Sequence, residues 1–285
     1  MSEVRRITDR QVDLCEGVIW DAARQQIHYV DITGRMIYTC TTDGKLLHAK
    51  QTPDWVGCIL LDTDGNLRYP MPNGLYRYDP DTGETQCLAV WTIPDALRFN
   101  DGKCAPDGAI FVGAMARNRE SPNALHGGCL YRFTPETGLQ IIKGGMTIPN
   151  GLAWRSDGRV MYHTDSQTRR VMAYEYDLSR AEIGQGSILA ELRETDGVPD
   201  GMTIDAEDNL WVARWGGSAV TRYDGRTGAV LDEIRLPDKN VSCCCFGGQD
   251  MRTLFITTAK DEDGNGGYVY RTETKCGGTA AYRPQ

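Results

Sequence analysis

Residues 198–215, VPDGMTIDAEDNLWVARW, contain the pattern that decides the fold. An apolar stretch interrupted by Asp200 and Gly201 is followed by a polar turn, and then by the short apolar run Leu210 to Trp215. The turn-plus-strand phrase DNLWVARW recurs along the chain as QQIHYVDI, GNLRYPM, GAIFVGAM, GRVMYHTD and RTLFITTA. The first apolar residues of the six phrases, Ile27, Leu67, Ile110, Val160, Leu210 and Leu254, are separated by 40, 43, 50, 50 and 44 residues. A further strand follows most of these anchors, as in GLYRYDPDTGE, GCLYRFTPETG, RVMAYEYDLSR and AVTRYDGRTGA, each closing on Asp, Pro or Gly hairpin signals. Helical periodicity is missing almost everywhere. Repeats of ~40–50 residues with about four short strands each are the signature of propeller blades. The expectation is an all-β, six-bladed β-propeller with four-stranded blades, one domain over residues 1–285 and a central metal-binding channel. An N-terminal strand is expected to complete the last, short unit.

Composition restricts the partners. The 31 Lys and Arg against 39 Asp and Glu give a net charge of −8, with no basic run to offset it, which argues against nucleic acid and anionic membranes. The longest apolar stretches, Val56 to Leu61 and Cys243 to Phe246, fall far short of the ~20 residues of a spanning helix. The start, MSEVRRITDRQVDL, lacks the apolar segment of an export signal, so the expected compartment is the cytoplasm. The ten cysteines, three of them consecutive at Cys243 to Cys245, form no C-x-x-C pair and are expected to be reduced, buried thiols. None of the four histidines has metal-helix spacing or stands beside a nucleophile elbow, which disfavours a serine triad.

The phase of the repeat points to a site. The strand before each anchor should line the axis, and counting ten residues back gives Gly57, Asn100, Asn150, Asp200 and Cys244, with Glu16 eleven before Ile27. Four of these six positions carry a carboxylate or carboxamide, set in the otherwise apolar phrases LCEGVIW, RFNDGKC, IPNGLAW and VPDGMTI. Polar groups converging on a buried axis repel one another unless protons, water or a cation compensate them. Their hard oxygen donors suit Ca²⁺, Mg²⁺ or Mn²⁺, while zinc or iron also accepts carboxylates; the alternative is a structural ion or a water-filled, hydrogen-bonded channel. Arg98, two residues before Asn100, shares its face, as a grip on an anionic or hydroxyl-rich ligand or as part of a channel ion pair. Trp215 is placed to wall a pocket at the strand end.

Together, CEGVIW, RFNDGKCAPDG, IPNGLAW, VPDGMTIDAEDNLWVA and SCCCFGG resemble the SMP-30/gluconolactonase/LRE-like family from about Cys15 to Lys260. The resemblance implies a six-bladed propeller, one divalent metal at the axis and, in many members, hydrolysis of sugar lactones. Carried over by motif, the metal ligands fall on Glu16, Asn150 and Asp200, and the substrate-binding residues on Arg98 and Asn100. GAMARNRES places Asn118 where several members carry an acidic substrate contact, so a different sugar preference is expected. The segment from Ala116 to His126 suits a selecting loop over the channel mouth.

The expected activity is therefore divalent-metal-dependent opening of aldonolactones, such as gluconolactone or pentonolactones, to aldonic acids. Asp200 is expected either to take a proton from water or only to orient the nucleophile. The alternatives are hydrolysis of another ester or an organophosphate, and a noncatalytic propeller that binds calcium or a protein. The expected partner is a small sugar lactone, with the chain as a monomer or small homo-oligomer.

Overall fold

The computed structural model describes residues 3–122, 124–180 and 182–284. A short strand β1 (Arg5–Arg6) comes first. Strands Cys15–Asp21, Gln26–Asp31, Met36–Thr41 and Leu46–Gln51 (β2 to β5) then form one antiparallel sheet. Leu60–Leu61, Leu67–Met71, Gly74–Tyr78 and Thr85–Val90 (β6 to β9) form the next, and Leu97–Cys104, Ile110–Ala116, Gly128–Thr134 and Gly138–Met146 (β10 to β13) the third. Pro149–Trp154, Val160–Asp165, Arg170–Asp177 and Glu182–Glu191 (β14 to β17) make the fourth. Strands Val198–Ile204, Leu210–Trp215, Ala219–Tyr223 and Val230–Arg235 (β18 to β21) share an eight-stranded sheet with Asn240–Gly247, Thr253–Ala259 and Val269–Glu273 (β22 to β24) and β1. Its two halves meet through one registered pair, Trp215 with Asn240. Strand order follows chain order within each four-stranded sheet, the arrangement a propeller is built from, while the eight-stranded sheet runs β1-β24-β23-β22-β19-β20-β21 with β18 beside β19. β1 pairs with β24, setting Arg5 opposite Arg271, so the expected N-terminal strand does lie beside the last one.

Burial falls from the first strand to the last in each four-stranded sheet, and from β18 to β21 in the eight-stranded one. β14 (PNGLAW) is buried throughout, whereas β21 (VLDEIR) is exposed or half-buried along its length. A strand covered on both faces reads as a continuous apolar run, while an outer edge strand needs charges to stay soluble and unpaired. The hairpin phrases work through their aspartates. Asp79 Oδ1 accepts from the amides of Asp81 and Thr82, and Asp224 Oδ1 from those of Arg226 and Thr227, which turns the chain before the outer strand.

The first strands pack against one another: β10 on β14, β14 on β18, β18 on β22, β22 on β2 and β2 on β6. Glycine permits this approach. A Cβ on Gly151 would stand 2.5 Å from the Asp200 carbonyl oxygen, and one on Gly201 2.8 Å from that of Ser242. Trp20 stacked on Phe255 fills the space between two sheets, and Trp211 edge-on to Phe246 the space between the two halves of the eight-stranded one. Among the described residues no helix is long and apolar enough to cross a membrane.

Candidate metal and substrate site

Each polar phrase breaks its own strand. The register of the first strand slips between Glu16 and Ile19, Phe99 and Gly102, Pro149 and Leu152, and Pro199 and Met202. A bulge of this kind re-aims a side chain without ending the strand. Here it lets a mostly apolar strand present a polar group while its apolar side chains stay in the core.

Glu16, Asn100, Asn150 and Asp200 are all buried, and with Arg98 they line one cavity of about 620 Å³. A directed chain of hydrogen bonds joins most of them. Arg98 Nη1 donates to the Phe99 carbonyl at 3.0 Å and to Asn100 Oδ1 at 2.7 Å. Asn100 Nδ2 donates to the Pro149 carbonyl at 3.0 Å and to Asn150 Oδ1 at 2.6 Å. Asn150 Nδ2 then donates to Ser166 Oγ at 2.9 Å, and Ser166 Oγ to the Pro199 carbonyl at 2.7 Å, one residue before Asp200. Both carboxamides are thereby held with their oxygens and nitrogens assigned.

The carboxylates are less well served. Glu16 Oε2 accepts from the Gly17 amide at 3.1 Å, and Asp200 Oδ1 is buried with no hydrogen-bond partner. Burial pushes both carboxyls well above the usual range, and neighbouring acids add to it: Asp200 and Asp101 for Glu16, Asp101 for Asp200. Burial also pulls the Arg98 guanidinium down to about 10, with the charges of Arg117 and Arg119 acting in the same direction. An orphaned carboxylate oxygen beside a second buried carboxylate and an oriented carboxamide oxygen fits a divalent cation with a preference for hard oxygen donors. Among the described residues no three His, Cys, Asp or Glu side chains cluster as a metal set; the third oxygen at this site belongs to the carboxamide of Asn150.

The other positions of the repeat phase do not reach this cavity. Gly57 packs against the Asn100 backbone, and the Cys244 thiol lies against the Trp211 carbonyl. Trp215 does line it. Asn118 lies outside: it is exposed, and its Oδ1 accepts from the Glu120 amide at 2.9 Å, while its neighbours Arg117 and Arg119 line the cavity. Three residues had no signal in the repeat. Ser166 sits in a single 3₁₀ turn (Ser166–Thr168), Trp55 has the guanidiniums of Arg98 and Arg117 over its ring at 5.8 and 5.6 Å, and Asp101 is buried with Oδ2 unpartnered. The polar run HTDSQT, which ends a buried strand and leads out of it, was the one available hint for Ser166.

The sequence pattern of the SMP-30/Gluconolactonase/LRE-like region matches residues 14–260. The chain belongs to the SMP-30/gluconolactonase/LRE-like family. Among family relatives, regucalcin of Danio rerio is 31% identical over 90% of this chain and 86% of its own length. Pentonolactonase XacC of Haloferax volcanii is 29% identical over 93% of this chain and 88% of its own. The crystal structure of a calcium-binding protein, regucalcin from Agrobacterium tumefaciens, superposes with a TM-score of 0.91 at 24% identity, covering 100% of this chain and 98% of that one. In this SMP-30/gluconolactonase/LRE-like chain the buried acids, carboxamides and Arg98 all fall within the matched span.

Proposed function

We propose that this chain is a divalent-metal-dependent lactonase that opens sugar lactones to their aldonic acids. Its scaffold in this reading is one six-bladed propeller over residues 1–285, the eight-stranded sheet counting as two blades that touch at Trp215 and Asn240. The observation that carries the reading is the unpartnered Asp200 Oδ1 in the same cavity as Glu16, Asn150, Arg98 and Asn100. The lactonase name of the Haloferax relative supports the reaction class.

Glu16, Asn150 and Asp200 are the residues that would hold the cation, one of Ca, Mg, Mn, Zn or Fe. When bound, it supplies Lewis-acid polarisation of the lactone carbonyl. Arg98 and Asn100 orient the lactone through hydrogen bonds to its oxygens. Asp200 takes a proton from the attacking water, whose oxygen bonds to the carbonyl carbon as the ring C–O bond breaks. The proton ends on the released hydroxyl and the product is an open-chain acid. Asn118 is a rim residue in this reading, and a cytoplasmic setting agrees with ten unpaired thiols.

Acid release from a panel of aldonolactones, followed with a pH indicator, tests the reading. Activity should vanish with chelator and return on adding back a divalent ion. Full turnover in protein shown to be metal-free by elemental analysis would overturn it.

A further inference from the structure

The cavity carries more cationic groups than a neutral lactone needs. Arg98, Arg117, Arg119 and Arg169 all line it, against Glu16 and Asp200 at the buried end and Glu194 at the exposed one. Arg117 is neutralised by Asp54, to which Nη1 and Nη2 both donate. The other three have no carboxylate partner among the described residues. Arg98 is buried, and only its Nη1 has hydrogen-bond partners there, both neutral oxygens. Arg169 is anchored by Nη1 to the Gly197 carbonyl at 2.9 Å and, more loosely, to that of Glu194. Arg119 makes no hydrogen bond or ion pair among the described residues, yet its charge acts on both Arg98 and Asp200.

Glu16 and Asp200 act on Arg98 through their charge without pairing with it, and a buried guanidinium is costly unless an anion completes it. Glu194 offsets one of the three. Arg98, Arg119 and Arg169 keep unused donors and line one open cavity, and the planar guanidinium fork suits carboxylate or phosphate oxygens. Trp55, with two of the guanidiniums over its ring, lines the same cavity.

We propose that Arg119 and Arg169, with Arg98 deeper in the cavity, form a binding site for an anionic group on the substrate remote from the lactone carbonyl. The preferred substrates are then lactones of acid sugars or of sugar phosphates. This inference rests on the lactonase reading above and narrows it to a substrate class.

The test uses the metal-loaded full chain and three lactones: glucono-δ-lactone, D-glucaro-1,4-lactone and 6-phosphoglucono-δ-lactone. The kcat/KM for at least one anionic lactone should exceed that for the neutral one about ten-fold, as one charge-assisted hydrogen bond supplies. Which of the two is preferred separates carboxylate from phosphate. Added salt should erode the preference. In Arg119→Gln and Arg169→Gln the ratio of anionic to neutral kcat/KM should fall several-fold, with most of the fall in KM. Equal kcat/KM for all three lactones, or a ratio untouched by both variants, overturns the proposal and leaves the lactonase reading standing. Calorimetry with the open-chain acids gluconate, glucarate and 6-phosphogluconate provides a readout that needs no turnover. If no lactone is hydrolysed, the lactonase reading falls. Tighter binding of an anionic acid, weakened in the variants, still supports the arginine site, and binding without preference overturns it.

Discussion

Asn100 Nδ2 donates to Asn150 Oδ1 across 2.6 Å, tying β10 to β14 at the floor of the cavity. Because Arg98 donates to the other end of Asn100, the orientation of one carboxamide sets that of the next. Asn100→Asp replaces the donor with a carboxylate oxygen facing Asn150 Oδ1. It should lower kcat/KM for lactones at least ten-fold, the cost of one lost hydrogen bond to a buried acceptor. Arg98→Ala should lower kcat/KM by about thirty-fold, equivalent to ~2 kcal/mol. Thermal unfolding alongside the kinetics checks both. Unchanged kinetics with a lower Tm would assign Arg98 to holding the strands rather than the substrate.

Glu16 and Asp200 make the metal-free site a source of instability. Burial first, and neighbouring acids second, hold both carboxyls above their ordinary values, so the folded chain keeps protons that the unfolded chain releases. That stabilisation is complete below the ordinary carboxylate range of about 4 and is lost as pH rises through the folded values. Chelated protein should therefore lose stability as pH rises from about 4 towards neutrality, and a divalent cation should restore it. Asp200→Asn removes one of the crowded charges. Its chelated form should melt above chelated wild type at pH 8, gain less from added cation and lose most lactone hydrolysis. Melting curves with and without chelator decide the matter, and a chelated variant that melts lower refutes the account.

Gly151 has no room for a side chain. A Cβ there would meet the Asp200 carbonyl at 2.5 Å and the Met202 side chain at 2.8 Å. Gly151→Ala should cost about 1–3 kcal/mol of stability in urea unfolding, the range for overpacking a core. Gly144→Ala, where a Cβ meets nothing within 4 Å, is the matched control and should stay within about 0.5 kcal/mol of wild type.

His163 supports the same bulge, its Nδ1 placed 3.1 Å from the Gly151 carbonyl. Burial pulls its pKa from 6.5 down to about 4. The unfolded chain therefore binds a proton that the folded one refuses. The contribution to stability is complete above about 6.5 and is lost as pH falls towards the folded value, up to about 3 kcal/mol in all. In His163→Gln the slope of stability against pH between about 4 and 6.5 should flatten, whatever the change in absolute stability. A slope identical to wild type, measured by urea unfolding at several pH values, would show that the imidazole titrates freely.

The strands and their phase were legible because both are local. Alternation of apolar residues, Asp-anchored turns and a near-constant spacing concern residues close together in the chain, and strand burial writes them directly into composition. The phase placed Glu16, Asn100, Asn150 and Asp200 at equivalent points of equivalent strands, and in the folded chain they do line one cavity. Position along a strand says nothing about what crosses between sheets. Ser166, which links Asn150 to the strand bearing Asp200, comes from a turn with no counterpart in the repeat, and Trp55 from the segment preceding β6. Loop side chains escape phase counting altogether: Asn118 turns outward to accept from its own loop, while Arg117 and Arg119 beside it face the cavity. The bulges were invisible for the same reason. A register slip is a property of two paired strands, and whether it turns a polar group towards the cavity or the core depends on the neighbouring sheet packed against it.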